Sequence, residues 1–394
     1  MQPNRSGPPR TALFDDPTFR GIVYQVLLCL LIALAATAVV RNVIANLARN
    51  RITSGFGFLD QTAGFDISQT LIEYSVQSST YGRAFWVGLL NTLLIAGLGI
   101  VLATLLGFVI GIARLSSNWL LRNIARGYVE IIRNIPLLLQ LLFWYNAVLK
   151  ALPEIRESFF QGSGMLLNNR GLFLPQPVVG PGAGWVLLAF VLGVAATFGL
   201  RLVAQRRREL TGQITPQLLP ALALIIGLPV VVFFGVGAEV ELVYPQLGRF
   251  NVSGGVEILP EFAALLLALT VYTAAFIAEV VRAGVLAVPH GQTEAAQALG
   301  LRSGATLRLV VVPQAMRVIV PPLTSQYLNL TKNSSLAVAI GYPDLVQVFA
   351  GSVLNITGQA VEVIAITMAV YLFLSLVTSF LMNLYGRRVA IAER

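Results

Sequence analysis

The chain has 394 residues, of which 56% are hydrophobic and only 11% charged, where ordinary globular domains carry about a quarter charged residues. That balance excludes a soluble enzyme and describes a protein of the lipid bilayer. The net charge of +9 comes from 27 Lys and Arg against 18 Asp and Glu; almost all the basic residues are arginines in loops beside apolar runs, which reads as membrane orientation and excludes a nucleic-acid surface. Cys29 and His290 are the only residues of their kinds, so an intramolecular disulfide and a zinc or iron site built from His and Cys are excluded as well.

In chain order, a polar start with Arg5, Arg10 and Arg20 precedes an apolar run over 21–40. Ala36 and Ala38 form an A-x-A pair like a signal-peptidase site, but the run exceeds the ~7–15 residues of a signal core, so an uncleaved anchor is expected. Further runs over 85–113, 129–149, 185–202, 218–236, 262–286 and 361–384 each approach or exceed the ~20 helical residues that cross the hydrocarbon. An eighth, over 318–340, is interrupted by Pro321, Pro322 and a polar cluster from Asn329 to Ser335. The expected fold is an all-α polytopic membrane protein of about eight transmembrane helices. Eight crossings with both termini in the cytoplasm place 18 of the 27 basic residues inside, as retention of Lys and Arg on the cytoplasmic side requires. The segments 42–83 and 150–184 are then external surface, the second with loop composition in QPVVGPGAG. No internal repeat or pair of inverted halves is evident.

Between the sixth and eighth runs lies a polar, helix-forming island over 290–313, HGQTEAAQALGLRSGATLRLVVVP. Glu294, Ala295 and Ala296 start a short helix, Gly300 can end it with a left-handed residue, and Ser303 offers a cap for a second. The island is expected to be a cytoplasmic knob read by something outside the membrane. No G-x-x-x-x-G-K-[ST] occurs and the only lysines, Lys150 and Lys332, follow no glycine-rich loop. A chain that works vectorially without a phosphate-cradling loop must use an ion gradient or borrow an ATPase.

EAAQALG, followed after nine intervening residues by Val310, Val312 and Pro313, resembles the EAA signature of binding-protein-dependent ABC importer permeases, with Val standing for Ile and Leu. GLLNTLLIAGLGIVLATLLG, YVEIIRNIPLLLQLLFWY, AEVVRAGVLAVPHGQTEAAQALGL and LTKNSSLAVAIG resemble successive segments of the polar amino-acid branch, related to histidine and glutamine importers; Arg133 and Pro136 stand where that branch shows R-G-T-P. The extra N-terminal crossing and the enlarged middle resemble the general L-amino-acid and glutamate/glutamine/aspartate importer permeases. The resemblance implies four regions: 1–84, a cytoplasmic N-terminus, first helix and periplasmic segment; 85–149, the first part of a five-helix core; 150–261, an insertion with two transmembrane helices; and 262–394, the rest of the core with a coupling loop over 287–317. It implies that Glu294, Ala295, Ala296 and Gly300 dock an ATPase subunit. It also implies two ATPase subunits that use ATP and Mg, a second homologous permease, a periplasmic amino-acid-binding protein, an L-amino acid as cargo, and a bacterial inner-membrane location. No cofactor bound by this chain and no nucleic-acid partner are implied.

Glu130 with Arg133 and Glu279 with Arg282 are spaced i, i+3 and share helix faces. Each pair is either a gate or brace, or neutralises itself where a helix meets the headgroups. Lys332 falls about 21 Å along a helix from Val318, within the bilayer. With Asn329, Ser334 and Ser335 it either lines an amino-acid path or belongs to a structural kink whose lysine pairs with an acid. Asn91, Thr92 and Gln140 are polar positions in apolar runs that suit the path or interhelical hydrogen bonds. Gly107 and Gly111 suit close helix approach. His290 is expected as a solvated loop residue without a catalytic role. The competing readings are a secondary amino-acid transporter driven by an ion gradient, and a membrane enzyme.

Overall fold

A computed structural model describes residues 17–49, 55–212, 216–248 and 251–389. The expectations for Arg5, Arg10 and the cytoplasmic N-terminus over 1–16 lie outside the described residues, as do those for the last five. Among the described residues seven helices are long and apolar enough to cross a membrane, or eight if one bent pair counts as a single span. In chain order the helices are α1 (Pro17–Arg49), α2 (Tyr81–Ala113), α3 (Trp119–Asn134), α4 (Leu137–Leu149), α5 (Ala183–Thr211), α6 (Leu218–Gly235), α7 (Pro260–Leu286), α8 (His290–Ala298), α9 (Ser303–Ile340), α10 (Val346–Thr357) and α11 (Ala360–Val389). The chain forms two compact units, one of Met1–Asn91 and Pro343–Val377, the other of Thr92–Tyr342 and Thr378–Arg394.

In the first unit Phe58, Ile67, Val87, Leu345, Phe349 and Val363 make a small apolar core, with Phe85 edge-on to Phe349 at 5.3 Å. Gly88 lets α2 come so near the start of α10 that a Cβ there would lie 3.1 Å from the Leu345 Cα. Asp344, fully buried, holds α10: its Oδ1 accepts the Gln347 N–H at 2.8 Å and its Oδ2 the Tyr371 hydroxyl at 3.1 Å. Burial pushes the Asp344 carboxyl up to about 6 from 3.8, against the opposing pull of hydrogen bonds from Gln347, Tyr371 and Val346. Because the folded value exceeds the unfolded one, this stabilisation is complete below about pH 4 and is lost as pH rises through about 6. The difference is on the order of 3 kcal/mol. Asp344→Asn should therefore flatten the fall in melting temperature between those pH values; a wild-type-like slope in the variant would exclude Asp344 as its source.

The second unit is organised on α7. Its Ala264, Ala268, Ala274, Ala275 and Ala278 are fully buried, so neighbouring backbones approach closely, as small residues permit in membrane bundles. Gly107 and Gly111 of α2 meet Ile277 and Ala278, as expected of that spacing, and Gly284 of α7 meets Ile319 of α9. The expected crossing over 129–149 is bent within its run. Pro136 lacks the N–H that would continue the helix, and the chain turns by 104° between α3 and α4. The side-chain amide of Gln140 donates at 2.9 Å to the Ile132 and Ile135 carbonyls. Gln140 thus secures the elbow and makes no bond to a distant helix in the described contacts.

The insertion is corrected too. QPVVGPGAG is not all loop, because Gln176–Val179 is a strand (β3) after β1 (Leu166–Asn168) and β2 (Gly171–Leu174). Beyond α6 come β4 (Val240–Val243), β5 (Gln246–Leu247), β6 (Val252–Ser253) and β7 (Val256–Ile258). All pairings are antiparallel, in the orders β1-β2-β7, β3-β4 and β5-β6. The β3–β4 ladder brings together the two chain ends of the α5–α6 hairpin, as a pair of opposed crossings needs.

Candidate functional site

The polar island folds as a knob between α7 and α9. Pro289 precedes α8, and the helix starts at His290 rather than at Glu294. His290 is thus the first helical residue, not a loop residue, and its Nδ1 lies 2.9 Å from the Glu294 Oε1 one turn on. Gly300 takes φ +78, the left-handed conformation that glycine adopts without strain. Its N–H donates to the Gln297 carbonyl at 2.8 Å, and the Leu301 N–H donates to the Ala296 carbonyl at 3.1 Å. Ser303 is the first residue of the next helix and not its cap; Arg302 holds the cap position without a side-chain bond.

Glu294, Ala295 and Gly300 are exposed, whereas Ala296 is 4% exposed and faces its own chain. Ala296 is therefore corrected from an outward contact to a packing residue that seats the knob. Sequence reasoning missed Leu299, which is 83% exposed beside Gly300. Its apolar side chain on a polar knob was itself the signal.

The two acid–base pairs differ. Glu279 accepts from Arg282 Nη2 at 2.6 Å and also from Arg114 Nη1 at the end of α2, so one carboxylate joins α2 to α7 between two guanidinium groups. The Glu130–Arg133 pair does not form. Glu130 bonds Arg126 Nε at 2.7 Å one turn back, and Arg133 lies over the Phe276 ring at 5.0 Å, where the apolar flank of α7 offers a cation–π contact. Glu279→Gln would leave both arginines facing each other, whereas Arg114→Met leaves Arg282 in place. The first should destabilise the protein by about 2 kcal/mol, a buried-pair figure reduced for partial exposure, and the second by less. Equal losses in thermal unfolding of the two variants would contradict a carboxylate shared in this way.

The expected break in the eighth run is corrected. Val312–Asn333 is one helix that contains Pro321 and Pro322, and only Ser334–Ile340 tightens into a 3-10 turn before Gly341. Ser334 is fully buried, its hydroxyl donating to the Thr331 carbonyl at 2.8 Å, and Ser335 donates to the Lys332 carbonyl at 2.7 Å. Ser325, Asn329 and Lys332 are exposed. Spaced by four and three residues, they make one polar face along an apolar span. Lys332 has no ion pair among the described residues. Asn91 is fully enclosed, with its amide donating to the Gln69 and Pro343 carbonyls at 2.9 Å each. It ties backbone segments together and is corrected from a path-lining position. No group of three or more His, Cys, Asp or Glu able to hold a metal occurs among the described residues.

YhdX from Escherichia coli (strain K12) is 52% identical over 394 residues, covering the whole of both chains. The General L-amino acid transport system permease protein AapQ from Rhizobium johnstonii is 50% identical, with 98% of this chain and 96% of the relative covered. The model of the Binding-protein-dependent transport system inner membrane component matches residues 213–391. The chain belongs to that family of ABC importer permeases. A third relative, the Glutamate/glutamine/aspartate/asparagine transport system permease protein BztB of Rhodobacter capsulatus, is 41% identical over all of this chain and 99% of its own.

The permease is a multi-pass subunit of an amino-acid ABC importer and is not itself an enzyme; hydrolysis belongs to a partner ATPase. The ion-gradient alternative finds no support in this family.

Proposed function

We propose that the permease carries L-amino acids inward across the bacterial inner membrane, paired with a second, homologous permease and driven by two ATPase subunits that bind ATP and Mg. A periplasmic binding protein delivers the amino acid. The α8 knob transmits ATPase closure to α7 and α9. Both described helix ends that would lead to the termini are assigned to the cytoplasm, in keeping with the arginine distribution.

The observation that carries this reading is the exposed polar helix α8, set between two apolar spans, with Glu294, Ala295, Leu299 and Gly300 outward. Against the described residues the Leu299 side chain is left 83% exposed; a cleft in an ATPase subunit would cover it. Asn329 and Lys332, with Ser335 nearby, are the proposed lining of the amino-acid path, the ammonium attracting the substrate carboxylate. The Glu279 brace with Arg282 and Arg114 is proposed to hold α2 and α7 together as α8 moves. Glu130 and Arg133, engaged with Arg126 and Phe276, brace α3 separately.

The experiment is reconstitution of the permease with its ATPase, second permease and binding protein in liposomes, with uptake and ATP hydrolysis measured together. Uptake that depends on ATP and on the binding protein supports the reading. Uptake by the permease alone under a proton or sodium gradient contradicts it.

A further inference from the structure

The insertion holds a second site-like feature, unrelated to the knob. Gly193 of α5 lets the α6 backbone at Leu224 come into direct contact. Beyond that point the two helices part and leave a cavity of about 340 Å³, lined by Leu200, Arg201 and Arg207 on one side and Gln217, Leu218 and Pro220 on the other. The walls are apolar and the rim is cationic. Arg206 and Arg208 adjoin it, and Glu209 is the one acidic residue between Gly182 and Gly237. None of these four arginines takes part in an ion pair among the described residues.

Depth places the feature. The β3–β4 ladder marks one end of the hairpin. Arg201 lies 18 residues along α5 from Ala183, about 27 Å at 1.5 Å per residue, and Arg207 about 36 Å. With a hydrocarbon core of about 30 Å, the two guanidinium groups bracket the level at which acyl chains give way to headgroups on the far side. An arginine fork matches a phosphodiester in two-point geometry, and basic pockets between transmembrane helices at this level suit acidic headgroups.

We propose that this cleft is a binding site for an anionic phospholipid, its phosphate held by Arg201 and Arg207 and its acyl chains lying against Leu200, Leu218 and Pro220. Charge complementarity decides the occupant: a zwitterionic lipid adds an ammonium to a rim already rich in cations, and free phosphate leaves the apolar walls unfilled.

The test is native mass spectrometry of the delipidated importer complex titrated with phosphatidylglycerol, phosphatidylcholine or inorganic phosphate. Phosphatidylglycerol adducts should exceed phosphatidylcholine adducts by at least about fivefold, in line with one to two charge-assisted contacts. Arg201→Gln with Arg207→Gln should remove that preference, the single substitutions should each weaken it, and Arg201→Lys with Arg207→Lys should keep part of it. Arg156→Gln with Arg170→Gln, elsewhere in the insertion, should leave it intact. If the double variant does not assemble, the single substitutions decide. Equal binding of both lipids, unchanged phosphatidylglycerol adducts in the glutamine variants, or displacement of the lipid by millimolar phosphate would each overturn the proposal. So would loss of ATPase attachment with lipid binding intact, which would mark the arginines as a protein contact.

Discussion

Glu294→Lys is expected to leave the permease folded and inserted while reducing ATP-driven amino-acid uptake at least tenfold. The Glu294 side chain is 67% exposed and its one side-chain partner among the described residues is the His290 ring on the same short helix, so reversing its charge costs the isolated chain only tenths of a kcal/mol. At a docked interface the same reversal sets a cation where an anion was accommodated. Such a change costs about 2–5 kcal/mol, and 1.4 kcal/mol is already tenfold. The measurement is uptake and ATP hydrolysis in the same reconstituted vesicles, with the amount of co-purified ATPase as a third reading. Normal uptake with normal ATPase attachment would remove Glu294 from the coupling contact.

The second large effect is on assembly of the fold. A Cβ at Gly107 would lie 2.6 Å from the Ile277 Cβ, and one at Gly111 would lie 2.8 Å from the Ala278 carbonyl oxygen. Neither obstacle can turn aside, because a Cβ is fixed by the main chain and a carbonyl inside a helix is held by its own hydrogen bond; a Cβ at Gly107 would also lie 3.0 Å from the Ala274 carbonyl oxygen. Overpacking in a well-packed core costs about 1–3 kcal/mol even where side chains can yield. Gly107→Val and Gly111→Val are therefore both expected to be severely damaging, with inserted, monodisperse permease falling to less than about a tenth of wild type in each. Gly97→Val, on the same helix with nothing within 4 Å, is the control. Size-exclusion chromatography of solubilised membranes would read all three, and a Gly111 variant that matches the Gly97 variant would refute backbone contact between α2 and α7.

The long crossings were legible because length and apolarity alone decide them: the run over 218–236 became Leu218–Gly235 and that over 262–286 became Pro260–Leu286. The knob was legible because a polar stretch between such runs has nowhere to go but the surface, although its first residue was not, since Pro289 permits a start at His290 that no capping side chain advertises. The elbow at Pro136 escaped because hydropathy continues across it, and the deciding feature is a missing N–H. The β3–β4 ladder escaped because its partners lie 61 residues apart at Val179↔Val240 and 67 at Gln176↔Val243, and pairing at that distance leaves no local pattern. Glu279 was read with Arg282 but not with Arg114 for the same reason.

The alanine-lined helix α7 also bears on how the second unit can move. Where helices meet through Gly107, Gly111 and Gly284, the β-branched residues Ile277, Val281 and Ile319 sit directly against glycine backbone, so sliding one helix past another would drive stiff side chains into main chain. On the proposed coupling, a push arriving at α8 would then be carried as by a stiff strut, with α7 and α9 tilting together.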